Sequence, residues 1–276
     1  MRYREFTPGP ALEGVVHRFW TLEGAAPGGG TEFQRAMPDG RPELIFNLAD
    51  PFERRLARGA ERQPRALLVG PTTRDLQVRP TGRVDLVGVR LTPGRWPALL
   101  DVPGEELLDR ALALAEVSRR RVEDLLEPLA ETGGAAARIA LVERRLLQAL
   151  ARDTRGDRRP DRRLQAAVRL TLEGGGGLQM PRLAELTGMS VRHLARLFRA
   201  GTGMGPRLLG RLTRFQRVLA ELERPGPVQW TALAHRHGYY DQAHLCRDFR
   251  RFGGISPGRY LAATRDLTRH FVDGSG

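Results

Sequence analysis

The sequence predicts an α+β chain: an N-terminal β-barrel or sandwich with trailing helices, followed by an all-helical domain of two helix-turn-helix units joined by a linker helix. Three observations predict it. Short apolar runs separated by turn residues fill the chain from Phe6 to about Val102, the apolar period then becomes helical, and a unit near the C-terminus occurs twice. A chain of 276 residues exceeds the usual size of one domain, and it divides into a domain over 1–152, a linker over 153–163 and a second domain over 164–265.

In the first part, Val15–Trp20, Glu43–Leu48, Ala66–Val69 and Val84–Val89 read as strands. Breakers separate them at Pro27 to Gly30, Pro38-Asp39-Gly40, Gly70-Pro71 and Pro93-Gly94. After Pro103, Val122, Leu125, Leu126 and Leu129 share one helical face, and so do Ile139, Val142, Leu146 and Leu150. Such helices either pack on their own β-domain or pair between subunits. From Asp153 to Arg163 most residues are charged, which suits a linker and not a core.

The net charge is +13, and it is unevenly spread: residues 1–160 hold 26 arginines against 23 acidic residues, residues 161–276 hold 19 against 9. The anion-seeking surface is therefore C-terminal. Every basic residue is Arg; genome base composition explains that as well as function does, although the guanidinium fork suits phosphate and guanine. No apolar run approaches the roughly 18 residues of a membrane span, and Met1 to Pro10 lacks the apolar stretch of a secretory signal, so the expected location is the cytoplasm. A single cysteine, Cys246, excludes an internal disulfide and a sulfur-rich zinc site.

The repeat carries the functional reading. Leu183-Ala184 recurs as Leu233-Ala234 and Gly188 as Gly238, 50 residues on; then Leu194, Arg196, Phe198, Arg199 and Pro206 recur as Leu245, Arg247, Phe249, Arg250 and Pro257, 51 residues on. The second turn thus holds one extra residue. Each copy reads as a short helix, a glycine turn and a second helix capped by Ser190 or Asp241. Val191, Leu194, Leu197 and Phe198 form an inward stripe in the first copy, with Arg192, Arg196 and Arg199 opposite. Leu245, Phe249 and Phe252 do the same in the second, leaving Ala243, His244, Arg247, Arg250 and Arg251 outward. Between the copies, Pro206 to Leu222 reads as one helix with Leu208, Leu212, Phe215, Leu219 and Leu222 on a face. Its length of roughly 25 Å could hold two recognition helices near the roughly 34 Å between successive major grooves.

These residues resemble the AraC/XylS transcription regulators. The resemblance rests on Leu183-Ala184, Ser190 to Phe198, Gly203-Met204-Gly205-Pro206, Gly238 to Leu245 and Ile255-Ser256-Pro257, and it departs from the commonest pattern at Tyr239 and Leu245, where Phe is usual. Residues 1–115 also resemble a sensor-type N-terminal half found in some members, through Pro38-Asp39-Gly40-Arg41-Pro42 to Leu48 and Val69-Gly70-Pro71. The resemblance implies a sequence-specific bacterial regulator whose recognition helices, at about 190–200 and 241–251, enter successive major grooves. Double-stranded DNA and RNA polymerase are the expected partners. A small-molecule effector at the N-terminal domain and a homodimer are further partners, while no cofactor, metal, membrane or enzymatic activity is expected.

Arg196 and Arg247 occupy equivalent outward positions from which Arg reaches guanine, a phosphate contact being the alternative. Arg192 follows them, and its counterpart Ala243 either meets a thymine methyl or is simply small. Gln242 either reads adenine or lies beside the cap, and the aligned His193 and His244 suit phosphates. Arg199, Arg250 and Arg251 lie further along as phosphate contacts. His235, His237 and His244 straddle a turn, which disfavours metal, and Gly174 to Gly177 reads as a flexible lead-in. Trp20, Arg35, Glu43, Asn47 and Trp96 either line a pocket or build the core.

Two other classes compete. A metal-dependent enzyme on a cupin-like barrel needs clustered histidines, yet His17 is the only histidine before His193. A DNA-repair alkyltransferase fused to this DNA-binding type needs a reactive cysteine in a separate domain, and Cys246 is not that. A third reading keeps the regulator but gives its N-terminal half only protein partners.

Overall fold

The computed structural model describes residues 1–25, 32–96, 99–100, 102–117, 122–151, 161–224 and 226–263. Strands β1 (Arg2–Phe6), β2 (Val16–Ala25), β3 (Gln34–Ala36), β4 (Glu43–Asn47), β5 (Phe52–Arg55), β6 (Ala60–Arg62), β7 (Ala66–Val69), β8 (Leu76–Pro80), β9 (Arg83–Leu91) and β10 (Ala111–Ala113) form two antiparallel sheets. Their orders are β1-β2-β9-β4-β7-β10 and β3-β8-β5-β6.

Period-two alternation separates the faces of the larger sheet. Phe19, Leu44, Phe46, Val87 and Val89 enter one core, and Trp20, Val84 and Leu86 turn to the other side, where Phe52 of the second sheet packs against them. A Cβ at Gly88 would lie 1.9 Å from the Trp20 ring, so only glycine lets that indole lie across β9. The four strands expected from apolar runs are present as β2, β4, β7 and β9, and the shorter, more polar strands fill the sheets around them.

Helices α1 (Gly104–Leu107), α2 (Leu114–Val117), α3 (Leu126–Glu131) and α4 (Ala135–Ala151) follow, with a 3-10 turn over Val122–Leu125 ahead of α3. Ile139, Val142 and Leu146 of α4 join the core that holds Phe19 and Val87, so this face of α4 packs on its own sheet. Arg138 of α4 reaches Asp85 of β9 at 2.8 Å and fixes that docking.

The C-terminal half is helical: α5 (Arg162–Glu173), α6 (Met180–Leu186), α7 (Val191–Thr202), α8 (Pro206–Leu222), α9 (Trp230–Arg236) and α10 (Gln242–Gly253). Of the linker expected over 153–163, residues 153–160 lie outside the described residues, and Asp161 already caps α5 by accepting from the Arg163 amide at 2.7 Å. A second core runs through all six helices, from Leu164 of α5 to Phe252 of α10. Gly174 to Gly177 differ from the flexible lead-in expected: Gly176, at φ 72°, presses against the backbone of Gly210 in α8, where a Cβ would fall 2.0 Å from the carbonyl oxygen. Among the described residues no helix is long and apolar enough to cross a membrane.

Candidate nucleic-acid interface

Both units are built by one local rule. After α6 and α9 the chain turns at Gly188 (φ 63°) and Gly238 (φ 71°), a left-handed conformation that strains any residue with a Cβ. The next amides, of Met189 and Tyr239, donate to Ala184 and Ala234, both at 2.9 Å. Ser190 then accepts from the His193 amide at 3.2 Å and Asp241 from the His244 amide at 2.6 Å, so both second helices are capped as their sequences require. Both end on left-handed glycines, Gly203 and Gly254, again 51 residues apart. The repeat therefore extends through the C-caps. The residue added in the second turn is Tyr240, which is 85% exposed beside the start of α10. Sequence reasoning registered the longer turn and overlooked this ring.

The joining helix α8 starts at Pro206, the position where proline's missing amide costs nothing. Leu212, Phe215, Leu219 and Leu222 are buried as expected, but Leu209 and Val218 are buried too, whereas Leu208 is half-exposed. The wider apolar surface arises because α8 packs against both units at once and not along one stripe. Phe215 meets Phe249 edge-on at 5.0 Å and Phe252 at 5.4 Å.

The two faces of each second helix separate clearly. In α7, Leu194 and Phe198 are buried and Leu197 is half-buried, while Arg192, Arg196 and Arg199 are exposed. Val191, expected inward, is 45% exposed, because the first residue after the cap projects beyond the core. In α10, Leu245, Phe249 and Phe252 are buried, and Gln242, Ala243, Arg247, Arg250 and Arg251 are exposed. Among the described residues, none of Arg192, Arg196, Arg199, Arg247, Arg250 or Arg251 makes an ion pair. Six unneutralised guanidiniums on two exposed faces favour a polyanion.

The two aligned histidines behave differently from the arginines. Nδ1 of His193 lies 3.2 Å from a guanidinium nitrogen of Arg196, so His193 steadies Arg196. His244 is half-buried, with its ring edge-on to Tyr239 at 5.1 Å. His237 turns away from both and meets the Glu221 carboxylate at 2.7 Å. Hydrogen bonding to Arg236, then to His237, holds Glu221 below the usual carboxylate range.

Several C-terminal arginines that composition alone counts as anion-seeking are engaged inside the fold. Arg211 pairs with Asp248, whose side chain is 1% exposed. Arg214 donates to the Gly238 carbonyl at 2.9 Å and lies over the Tyr239 ring, and Arg217 donates to the carbonyls of Leu172 and Glu173. Burial, reinforced by Asp248, pushes the Tyr239 hydroxyl well above its ordinary range, so it stays neutral.

Of the N-terminal residues considered for a shared pocket, Trp20 and Glu43 lie side by side on the larger sheet, and the other three are placed apart from them. Trp96 is buried and donates to the Val102 carbonyl at 3.2 Å, Asn47 braces its own turn, and Arg35 pairs with Asp75. Glu43 meets Arg90 at 2.6 Å. Desolvation, then Arg41, Arg90 and Arg18, push His17 down to about 4, an electropositive setting that opposes a bound cation. Among the described residues no group of three or more His, Cys, Asp and Glu could hold a metal ion.

The chain matches two family models: residues 183–263 match one described as a helix-turn-helix domain, and residues 4–113 match a domain of unknown function (DUF6597). No curated protein matches. Similar solved structures include an apo variant of ToxT from Vibrio cholerae strain SCE256, at 9% identity and TM-score 0.48, covering 88% of this chain and 96% of that one. Unsaturated fatty acid-bound wild-type ToxT from the same strain has 10% identity and TM-score 0.45, covering 95% and 97%. The AraC-like transcriptional activator CuxR has 11% identity and TM-score 0.26, covering 74% and 73%. With these TM-scores below 0.5, the assignment rests on the matched helix-turn-helix domain and the duplicated geometry. The protein is a DNA-binding transcription regulator. Its C-terminal region is a helix-turn-helix domain of the AraC/XylS type.

Proposed function

We propose that this regulator reads one asymmetric DNA site with both units, α7 and α10 entering successive major grooves on one side of the duplex. The observation that carries the reading is the pairing of two identically capped helices on one shared core, each presenting exposed, unpaired arginines. In this reading Arg196 and Arg247 contact guanine, with Arg192, Gln242 and Ala243 beside them. His193, Arg199, His244, Arg250 and Arg251 hold phosphates. The division at 1–152, 153–163 and 164–265 gives the N-terminal part the modulating role, through an effector, a second copy or RNA polymerase. An effector acting across the two halves would meet the open cleft of about 330 Å³ that lies between Asp39 and Arg90 on one side and Gln216 and Glu223 on the other.

Anisotropy titrations with DNA from upstream of the protein's own gene, at several salt concentrations, test the reading. Tight binding to one segment, with a steep salt dependence and at least a thousandfold preference over random DNA, is the expected result, about the lower bound for specific recognition. Equal affinity for all sequences would contradict it.

A further inference from the structure

The N-terminal domain touches both recognition helices at the same place, the C-terminal end. At α7 the contact is α1. A Cβ at Gly104 would lie 2.6 Å from the Ala200 carbonyl oxygen and 2.6 Å from the Gly203 amide nitrogen, so only glycine allows this approach to the helix end. The residues that follow join the two cores directly: Leu107 is buried in the N-terminal core, and Leu108 packs against the C-terminal one.

At α10 the contact is the segment from Arg35 to Gly40. Met37 packs into the C-terminal core beside Gly253, and the Arg35–Asp75 pair lies against Gly253 and Gly254. Gln216 of α8 donates to the Pro38 carbonyl at 2.8 Å, and Gly40 approaches Leu209 and Leu212. The Pro38-Asp39-Gly40 breaker is thereby a bridge to the helix that spaces the two units. Burial pushes the Asp39 carboxyl up, against the pull of Arg90 and Arg41, and the Arg90 guanidinium of β9, 3.3 Å away, holds the loop to the sheet.

The opposite ends of α7 and α10 carry the exposed Arg192, Arg196, Gln242, Ala243 and Arg247, and none of these N-terminal contacts reaches them. Resting on the two-groove reading above, we infer that Gly104 and the 37–40 loop are positioning elements of the DNA reader: they fix the angle and spacing of α7 and α10 without covering the ends that carry Arg192, Arg196, Gln242, Ala243 and Arg247. The N-terminal domain thus sets which separation between the two DNA segments is accepted. A rigid reader discriminates spacing because a misplaced second helix loses its contacts, whereas a loosened one pays an ordering cost but tolerates the change.

The test uses the full chain and a duplex of about 30 base pairs, three helical turns, selected from a random library by the unsubstituted protein. Gly104→Ala forces α1 away from α7, and Gln216→Ala releases the 37–40 loop. Gly104→Ala is expected to bind the selected duplex about tenfold more weakly and Gln216→Ala about threefold. Both should accept one added or removed base pair between the protected segments better than the unsubstituted protein does. Both should bind a duplex holding only the first segment as before. Should Gly104→Ala fail to fold by near-UV circular dichroism, Gln216→Ala carries the test. An unchanged spacing preference, or tighter binding showing that the contact occludes DNA, overturns the inference. Protection of a single segment by the unsubstituted protein is a separate result, and it removes the two-groove reading itself.

Discussion

The carboxylate of Asp248, buried inside the second recognition helix, closes on the guanidinium of Arg211 in the joining helix. The same guanidinium lies over the Phe252 ring at 5.3 Å. One ion pair thus locks the angle between α10 and α8. Because Arg211 is 31% exposed while Asp248 is buried, removal of the arginine leaves a buried charge. Arg211→Ala should cost about 2–3 kcal/mol, below the full value for a wholly buried pair, as read from urea unfolding of the C-terminal transition. A loss below about 0.5 kcal/mol, the level of an exposed pair, would show that the pair is not structural.

Base readers and phosphate contacts separate by their salt dependence. Arg196→Ala and Arg247→Ala should each cost about 1–3 kcal/mol on the true site and relax preference at one position, whereas Arg250→Ala should weaken all DNA alike and lower the salt slope by about one. Titration against base-substituted duplexes distinguishes them. Uniform losses for all three would overturn the assignment.

Tyr240 lies outside the core, so its removal should leave the melting temperature unchanged. Tyr240→Ala should nevertheless weaken DNA binding several-fold, by about 1 kcal/mol, the value of one hydrogen bond from its hydroxyl to a phosphate. Unchanged affinity would assign the ring to solvent.

Two left-handed glycines should differ in cost. A Cβ at Gly188 meets nothing within 4 Å, so Gly188→Ala should cost about 1 kcal/mol from backbone strain alone. At Gly176 the same strain adds to overlap with Gly210, and Gly176→Ala should cost about 3 kcal/mol or more. Equal losses in thermal unfolding would contradict the close approach of that turn to α8.

Glu221 ties α8 to α9 through Arg236 and His237. Its carboxyl is held below the ordinary value in the folded chain, so its contribution is present above the unfolded value and lost as pH falls through the folded one. The group is partly exposed, and Glu221→Gln should cost only about 0.5 kcal/mol near neutral pH. The difference between the two proteins should vanish in acid; a difference that grows there would contradict the pairing.

Much of the C-terminal half was legible because a repeat states the same physics twice. Caps at Ser190 and Asp241, turns at Gly188 and Gly238, and the bounds of α8 follow from short-range chemistry. Arg211, Arg214 and Arg217 were not legible as internal ties: their partners, Asp248, Gly238 and Leu172, are set by packing between helices distant in sequence. Strands such as β6, exposed throughout, carry no apolar pattern and form only because β5 supplies a partner. Pro38-Asp39-Gly40 reads only as a breaker and Gly104 carries no sequence signal of its own; the folded chain places them against α8 and α7.

The most direct test of two helices reading one duplex is insertion between the two protected segments of the selected site. Adding about 5 base pairs, half a turn, rotates one segment to the far side of the duplex. The account predicts that affinity then falls to that of a single segment, with only one segment protected from hydroxyl radicals. Undiminished affinity, with both segments still protected, would contradict it.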